Sequence, residues 1–600
     1  MKQKFTAFIT VCIIASLPLA NTASAEDTKL FYRGDYDDQI TEAPNGAKVN
    51  KAYKKFISEG SFAKPEIHQV TDGVWTVTGY SLSNYTFIEG KTGLIAFDAG
   101  SSVGMGKTVL EMIQKKVNKP VSAIIYSHFH YTGGAKAYAA SNPTGKVEVY
   151  GHPYLKNNMA GQGSTFRQMQ NRRGGMQLGA YLPHEGPDAA FGPAEPQFED
   201  PALAAHGHLP VTYEVKDGET VTIDGIEMTF YYAVADTEDS LIVDIPSKDL
   251  VLHNTAAAGL LFSLYTLRGS DYRTPVPLIN SLDKLRSLDR EFVVGVHGYP
   301  AKGKEAQDML TAHRDAYAFT YNQSVRAINM GKTPDEMADT IRLPEHLDQH
   351  SELFPAYIDN EYSIRGQYRG IVGWFDEDIS ELHPPMRSEL AKELLAVSGG
   401  AGKLNAAAKN AFADKKYNLS AKLYSIVLDG EPENKTARQG MADALRQMAY
   451  TTRSGIQTRS YLLTHALHLE GKLDMNKPPK FSFFGSASVA EIMAGQAGNS
   501  VKALEFQLDP NKVSDVEKVV AVTFTDLDKS WSIHIRKGAI EVTEGIVKAD
   551  ATLQLKREAW ADLVMGKTSL KQLVSSDQAK IKGNKNTAYK VLGAFDNISI

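Results

Sequence analysis

The feature that most constrains this chain is the segment SHFHYTGG at 127–134, which directly follows an apolar run at 121–126. An apolar run of that length, ended by a polar, Gly-rich turn, is typical of a buried strand followed by a loop. His128 and His130 are two residues apart, so at an extended strand end both side chains point to the same side. The pattern predicts two imidazoles that grip one metal ion. Two ordinary surface histidines remain the alternative, because a bare His-x-His pair is a weak signal.

Length and composition indicate a large globular protein. At about 150 residues per domain, 600 residues predict three or four domains. An apolar content of 42% and a charged content of 22% are ordinary for globular domains. A net charge of −5 and a pI near 6.4 give no basic surface, so we expect no nucleic-acid partner.

The N-terminus has the pattern of an export signal. Lys2 and Lys4 precede an apolar stretch at 5–20, and Ala-Ser-Ala follows at 23–25. This predicts a signal peptide over 1–25 and an exported protein, for which a bacterial periplasm fits best. A membrane anchor is the alternative, but the stretch is short for one. The only cysteine, Cys12, lies inside the signal, so the mature chain has no disulfide, and we expect no membrane span in it.

Short strands and helices alternate over the first half of the chain. Runs rich in β-branched and aromatic residues, a helical pattern at 104–117 and the histidine strand predict a layered α/β domain over 26–310. Residues 151–210 are rich in Gly, Pro, Asn and Gln and show little periodicity, which predicts a lid over the metal loop. Polar residues recur where later strands end, at Asp236, His253 and His297.

The second half divides at a Pro-rich break at 476–480. Before it, helical periodicity predicts an all-α domain over 311–475, with Asn434 as a helix N-cap. After it, strand and helix patterns predict a separate α+β domain over 485–600.

These features together resemble the metallo-β-lactamase superfamily and, within it, the class III alkylsulfatases, which hydrolyse sulfate esters such as dodecyl sulfate. The stretches that carry the resemblance are YTLRGS at 265–270, VHGYP at 296–300, HRDAY at 313–317, GWFD at 373–376, LHPP at 382–385 and WSIHI at 531–535. The resemblance covers about residues 30–600.

The resemblance implies an αββα sandwich, then a helical dimerisation domain that makes a homodimer, then a sterol-carrier-like C-terminal domain. In the family that last domain offers apolar surface to the alkyl tail of the substrate. Phe481, Phe483 and Phe484 at its entrance are candidates for this contact, or they pack the seam between domains.

The family also implies a two-zinc site, and here the sequence departs from it. The family motif is His-x-His-x-Asp-His, but Thr132 and Gly133 fill its last two positions. Thr255 fills the position of the bridging carboxylate. His128, His130 and Asp236 remain for the first ion, and His297 alone matches the second.

We therefore expect one zinc ion per chain or none, because one imidazole does not hold a divalent ion. Two imidazoles, a carboxylate and water make a plausible zinc site with an open position. His253 is a possible substitute ligand for the second ion. Iron or manganese is an alternative to zinc, since metal choice follows geometry and availability.

Catalytic roles are assigned to side chains near this site. Glu238 or His297 is the candidate general base, with a solvated turn carboxylate as the alternative for Glu238. Arg268 is the candidate for binding the sulfate, since a guanidinium matches the paired oxygens of an oxyanion. Its alternative is a surface ion pair; Arg273 and Arg365 are weaker candidates. By resemblance, Asp98 orients the histidine loop.

The predicted function is an exported, metal-dependent hydrolase of an alkyl sulfate ester or a related ester. The alternative is a catalytically weak or inactive relative that binds an amphiphilic ligand in the periplasm, which the missing second-site ligands favour. An altered hydrolytic reaction is a third possibility, since fold analogy alone does not decide function.

Overall fold

The computed structural model describes residues 31–32, 39–160, 166–193, 195–270, 272–479 and 489–600. The predicted signal peptide and the three phenylalanines at 481, 483 and 484 lie outside the described residues. Within these ranges, no helix combines the length and the apolar character that crossing a bilayer requires.

The histidine strand lies inside a mixed β-sheet. It pairs in parallel with a strand on each side, and the far edge of the sheet is an antiparallel meander. In spatial order, the strands are Tyr213–Glu214, Glu148–Gly151, Val121–Ile125, Leu94–Phe97, Tyr85–Glu89, Val74–Thr78 and Glu66–Thr71.

A second sheet faces the first. Its strands pair antiparallel, except for the parallel pair formed by Leu250–His253 and Phe292–Gly295. In spatial order, they are Glu219–Ile223, Ile226–Ala233, Ser240–Ile245, Leu250–His253, Phe292–Gly295 and Ala301–Lys302. Inward-facing aliphatic and aromatic residues of both sheets, such as Phe97, Ile125, Phe230 and Leu252, form one buried core.

Helices cover both outer faces. Val109 and Leu110 of one helix pack on the first sheet, and Leu282 and Leu310 of two others pack on the second. The helices of this region are Lys51–Glu59, Val103–Gln114, Ala135–Ser141, Leu155–Ala160, Arg167–Gln177, Pro201–Ala204, Pro275–Ser287 and Gly303–Asn329. Helix, sheet, sheet and helix layers give the predicted αββα sandwich.

A helical region follows the sandwich. Its helices are Pro334–Thr340, Glu345–Asp348, Asn360–Val372, Arg387–Val397, Ala401–Ala413, Tyr417–Gly430, Lys435–Thr451 and Ser460–Leu469. Asn434 caps Lys435–Thr451, as predicted, by accepting from the amide of Ala437. The buried side chain of Arg459 ties this region to the sandwich, because it donates to the carbonyls of Lys48 and Ala189.

The C-terminal region is an α+β unit with its own core. Its strands, in spatial order, are Ala539–Glu544, Lys529–Arg536, Glu517–Phe524, Ala551–Leu555 and Ala579–Gly583. Its helices are Val489–Ala494, Asn499–Lys502, Arg557–Val564, Leu570–Ser575 and Lys585–Leu592. Phe524 lies 5.2 Å from Trp531 and 6.1 Å from Trp560 between ring centroids, so aromatic rings fill the centre of this unit.

The three predicted fold classes are confirmed: an α/β sandwich, a helical region and an α+β unit. Their exact boundaries stay predictions. Residues 151–210 contain three helices that the sequence did not reveal, Leu155–Ala160, Arg167–Gln177 and Pro201–Ala204. The second, RQMQNRRGGMQ, has three arginines, two adjacent glycines and few apolar residues, so it lacks the periodic stripe that marks a helix.

Candidate metal and active site

The histidines lie at the carboxyl end of the buried strand Val121–Ile125. Ser127 and His128 follow it, and Phe129–Tyr131 forms a single 3₁₀ turn. The carbonyl of Ser127 accepts the amide of Leu241 in the second sheet. The turn at the end of this first-sheet strand is therefore hydrogen-bonded to the second sheet.

The structure brings His128, His130 and Asp236 together; we call them the His–His–Asp group. His128 Nε2 lies 2.9 Å from His130 Nδ1, and Asp236 Oδ2 lies 3.5 Å from the first nitrogen and 2.9 Å from the second. Ligands about 2.0–2.1 Å from a tetrahedral zinc lie about 3.3 Å apart, so the group matches a zinc site within a few tenths of an ångström. Among the described residues, His297 is outside this group.

Hydrogen bonds fix the tautomer of His128. Ser127 Oγ donates to Asp98 Oδ2 at 2.6 Å and lies 2.8 Å from His128 Nδ1. Because the serine proton is used, Nδ1 of His128 must donate to Ser127, and Nε2 faces the group. Asp98 also accepts the Ser127 amide at 2.8 Å, which confirms that Asp98 holds the histidine loop. Such outer contacts orient metal-binding imidazoles.

The electrostatics of the group suit a cation. Burial alone would raise the pKa of Asp236, but His128 and His130 hold it well below its usual range. Burial lowers the pKa of His130 to about 4. Burial also disfavours charge on His128, yet nearby carboxylates, Asp236 foremost, outweigh burial and raise its pKa. The group thus holds a carboxylate, one neutral imidazole and one imidazole whose proton a metal must displace.

The positions that would hold a second ion are filled differently. Thr132 Oγ1 donates to the Phe129 carbonyl at 3.4 Å, and Thr255 Oγ1 lies 3.0 Å from His253 Nδ1. Gly133 packs so tightly that a Cβ on it would lie 2.3 Å from the Ser101 carbonyl oxygen. The residues present do not fit a second ion of the family type.

Among the described residues, His253, the possible substitute ligand, is outside the His–His–Asp group. Its Nδ1 accepts the amide of Thr255 at 3.2 Å, so in the neutral ring the proton sits on Nε2. Burial lowers the pKa of His253 to about 3, which keeps the ring neutral. Among the described residues, Nε2 has no hydrogen-bond partner, and it lies against Gly295.

The turn that carries Asp236 also carries Glu238 and Asp239, which differ in burial. Glu238, the predicted general base, is exposed on this turn. Asp239 is fully buried, accepts from Asn158 at 2.7 Å and helps to raise the pKa of His128. The sequence reasoning missed Asp239, because the acidic run at 236–239 gives no sign of which carboxylate faces inward.

Two arginines lie buried close to the group. Arg268 Nη1 donates to Gln170 Oε1 at 2.8 Å, and Arg268 is close enough to affect the pKa of His130. Arg273 Nη1 donates to the carbonyl and hydroxyl of Ser263, and Asp236 affects its pKa. Arg365, the third candidate, instead forms ion pairs with acidic residues of the helical region.

Glutamines of the helix Arg167–Gln177 hold the Arg268 turn. Besides the contact with Gln170, the Arg268 amide donates to Gln177 Oε1 at 3.0 Å. Gln177 Nε2 donates to the Tyr357 hydroxyl at 2.8 Å. Nothing in the sequence marked these glutamines, because a helix without an apolar stripe does not reveal which of its faces is buried.

Glu195 reaches the site from the segment after that helix. Its Oε1 accepts the amide of Leu82 at 3.0 Å, and the Leu82 carbonyl lies 2.9 Å from His297 Nδ1. Burial raises the pKa of Glu195 to about 7, and its charge affects Tyr131 and Tyr85. Glu195 was also missed, since nothing in a Gly/Pro-rich stretch marks one carboxylate.

Family models match three successive parts of the chain. The model for the metallo-beta-lactamase superfamily matches residues 78–297, that for alkyl sulfatase dimerisation matches 333–472, and that for the alkyl sulfatase C-terminal region matches 487–599. The order of the matches is that of the sandwich, the helical region and the α+β unit.

Curated relatives resemble the chain along most of its length. A linear primary-alkylsulfatase of Pseudomonas sp. (strain ATCC 19151) is 30% identical over 526 residues, which are 85% of this chain and 98% of the relative. The alkyl/aryl-sulfatase BDS1 of Saccharomyces cerevisiae is 24% identical over 627 residues, 98% of this chain and 93% of the relative.

A solved structure shares the whole fold. The stereoselective inverting sec-alkylsulfatase Pisa1 from Pseudomonas sp. superposes with a TM-score of 0.77 at 21% identity, covering 95% of this chain and 92% of that one. With the curated relatives and the three matched models, the assignment is clear: the chain belongs to the alkylsulfatase family, with its metallo-β-lactamase domain, dimerisation domain and C-terminal domain.

Proposed function

We propose that this chain is an exported hydrolase that cleaves an alkyl sulfate ester at a reduced, single-metal site. The observation that carries the proposal is the convergence of His128 Nε2, His130 Nδ1 and Asp236 Oδ2 within 3.5 Å of one another. The 30% identity to a linear primary-alkylsulfatase supports the substrate class.

Each side chain of the site has a task in this reaction. A bound zinc ion supplies Lewis acidity and lowers the pKa of a coordinated water to about 7. His128, His130 and Asp236 would hold that ion. Arg268 and Arg273, both buried near the group, would neutralise the charge of the sulfate group. The general base stays assigned to Glu238 or His297.

The rival function is non-catalytic binding of an amphiphilic ligand. It is favoured by Thr132, Gly133 and Thr255, which occupy positions of second-ion ligands without offering a carboxylate or an imidazole. A protein of this kind would keep the family scaffold and bind an alkyl sulfate without turning it over.

Sulfate release from dodecyl sulfate by the purified, zinc-loaded protein separates the two functions. We expect turnover that chelation abolishes, that added zinc restores, and that His130→Ala removes. His346→Ala, which changes an exposed histidine of the helical region, is the matched control and should leave turnover unchanged. Tight binding of dodecyl sulfate without sulfate release from the zinc-loaded protein would instead establish the rival.

We also propose that the active form is a homodimer. Large apolar side chains are exposed along one stretch of the helical region, within the part matched by the dimerisation model: Ile371, Val372, Trp374, Ile379, Leu382, Met386, Leu390, Leu394 and Val397. Apolar exposure on this scale is typical of a protein interface. A second copy of the chain is the occupant we expect.

Light scattering on the eluting protein tests the dimer. Trp374→Glu combined with Met386→Glu should yield monomers, while Phe506→Glu, an exposed aromatic in the C-terminal region, should not change the mass. A wild-type monomer at micromolar concentration contradicts the proposal.

Export is a separate proposal. We propose that the pattern at 1–25 directs the chain to the periplasm and is removed after Ala25. N-terminal sequencing of the protein from a periplasmic fraction tests this, and should begin at Glu26. Recovery of the intact N-terminus from the cytoplasm would overturn it.

A further inference from the structure

Tyr131 packs against both His128, a member of the His–His–Asp group, and His297. Its ring centroid lies 5.1 Å from that of His128 and 5.7 Å from that of His297, nearly perpendicular to both. The residue is 5% exposed, so the ring is a fixed part of the interior. The paired ions of two-metal hydrolases lie about 3.5–4 Å apart. In this chain, one aromatic ring contacts both His128 and the histidine that alone matches the second ion.

The hydrogen bonds of His297 leave one nitrogen for Tyr131. Nδ1 donates to the Leu82 carbonyl at 2.9 Å, so the neutral ring carries its lone pair on Nε2. The Tyr131 hydroxyl lies 3.4 Å from Nε2 and is the donor that satisfies it, through a long hydrogen bond. The lone pair that would bind a metal ion thus faces a phenol.

The backbone after Tyr131 packs closely against the loop 99–102. The amide of Gly133 donates to the Gly100 carbonyl at 2.7 Å, and a Cβ on Gly133 would lie 2.3 Å from the Ser101 oxygen. A Cβ on Gly134 would lie 2.1 Å from the Ala99 oxygen. A histidine therefore cannot enter the last position of the family motif, where Gly133 stands, unless the loop 99–102 moves.

The positive charge of a second ion has a substitute nearby. Arg268 and Arg273 are both less than 10% exposed, and both are close enough to the His–His–Asp group to influence its members. The Nε of Arg273 is buried and has no hydrogen-bond partner among the described residues. Two fixed guanidinium groups thus accompany one metal site.

We propose that the Tyr131–His297 pair takes the place of the second metal ion, so that His297 is not a metal ligand and the chain binds one ion through the His–His–Asp group. This inference rests on the proposed function for its setting, but it concerns metal binding alone. It changes the role of His297 from ligand to hydrogen-bond acceptor, and because both ring nitrogens are then engaged, it leaves Glu238 as the candidate general base. It also explains how the family scaffold tolerates threonine and glycine at the other second-ion positions.

Metal titration of the full-length mature protein tests the proposal without a turnover assay. Cobalt(II) absorbance and zinc calorimetry should both saturate at one equivalent per chain. His130→Ala should weaken zinc binding by more than about 100-fold, since losing an outer contact alone costs 10–100-fold. His297→Ala should still bind one equivalent with wild-type affinity, as should the control His346→Ala.

Two further variants keep the test decisive. If His297→Ala does not fold, as judged by near-UV circular dichroism, His297→Gln offers a smaller change with an acceptor oxygen. Tyr131→Phe should retain one equivalent and wild-type affinity. Two equivalents in the wild type, or a loss of affinity in the His297 variant equal to that in His130→Ala, would overturn the inference.

The outcome is separable from that of the proposed function. One equivalent bound without sulfate release leaves this inference standing and removes the hydrolase. Sulfate release with two equivalents bound would remove this inference and the single-metal part of the proposed function, and would leave the sulfate-ester hydrolase standing.

Discussion

Changing Glu195 to glutamine should stabilise the sandwich at alkaline pH and have little effect at acidic pH. Burial raises the pKa of Glu195 from 4.5 to about 7, so the folded protein holds this proton more tightly than the unfolded chain. The stability that the neutral carboxyl contributes is complete below about pH 4.5 and is lost as pH rises through about 7. Glutamine keeps the oxygen that accepts the Leu82 amide and never ionises.

The size of the effect follows from the linkage relation. A rise from 4.5 to about 7 corresponds to at most about 3.5 kcal/mol, at about 1.4 kcal/mol for each pH unit. Because the side chain is only partly buried by neighbouring atoms, water reduces this value, and we expect a gain of about 1–2 kcal/mol for Glu195→Gln at pH 8. At pH 5 the gain should be about half of that or less.

Urea unfolding of the metal-free protein, followed by near-UV circular dichroism at pH 5 and pH 8, measures the difference. Asp98, whose pKa burial raises to about 6, titrates in the wild type and the variant alike, so the comparison cancels it. Glu185→Gln, at an exposed site in the same segment, should shift neither midpoint. Equal midpoints for Glu195→Gln and wild type at both pH values would show that folding does not raise the pKa of Glu195. The reasoning would then be wrong.

Three more predictions concern the loop and the arginine turn. Ser127→Ala breaks the path from Asp98 to His128 and should weaken zinc binding about 10–100-fold, measured by calorimetry, with the fold intact. Zinc affinity of the wild type should fall by about tenfold per pH unit below the raised pKa of His128, because binding must displace its proton; a flat profile contradicts this. Gln170→Ala removes one hydrogen bond that positions Arg268 and should raise KM for an alkyl sulfate while leaving zinc affinity unchanged.

The metal centre was the part of the site that the sequence revealed best. A buried strand before two histidines, and a carboxylate in a turn between later strands, are local patterns, and the structure joins His128, His130 and Asp236 as those patterns predicted. Their role as ligands stays a prediction. The fold class was equally accessible, because alternating strands and helices have distinct periodicities and because the family motifs extend along the whole chain.

The surroundings of that centre were not accessible, for a physical reason. Gln170, Glu195 and Asp239 act through burial and through partners distant in sequence, and neither property leaves a periodic mark. Tyr131 was visible inside the histidine motif, but only the packing of the loop shows that its ring contacts both His128 and His297. Tertiary contacts decide such roles.

Arg459 has a consequence for anyone who divides this protein into fragments. Its guanidinium, fully enclosed, spans from the helical region to main-chain oxygens at 48 and 189. If the sandwich were expressed without the residues beyond 330, those carbonyls would lose their hydrogen-bond donor. A fragment of the helical region alone would keep the Arg459 guanidinium without these acceptors. The two regions should therefore unfold in one cooperative transition. Truncation between the sandwich and the helical region should yield insoluble protein, and neither fragment should be active.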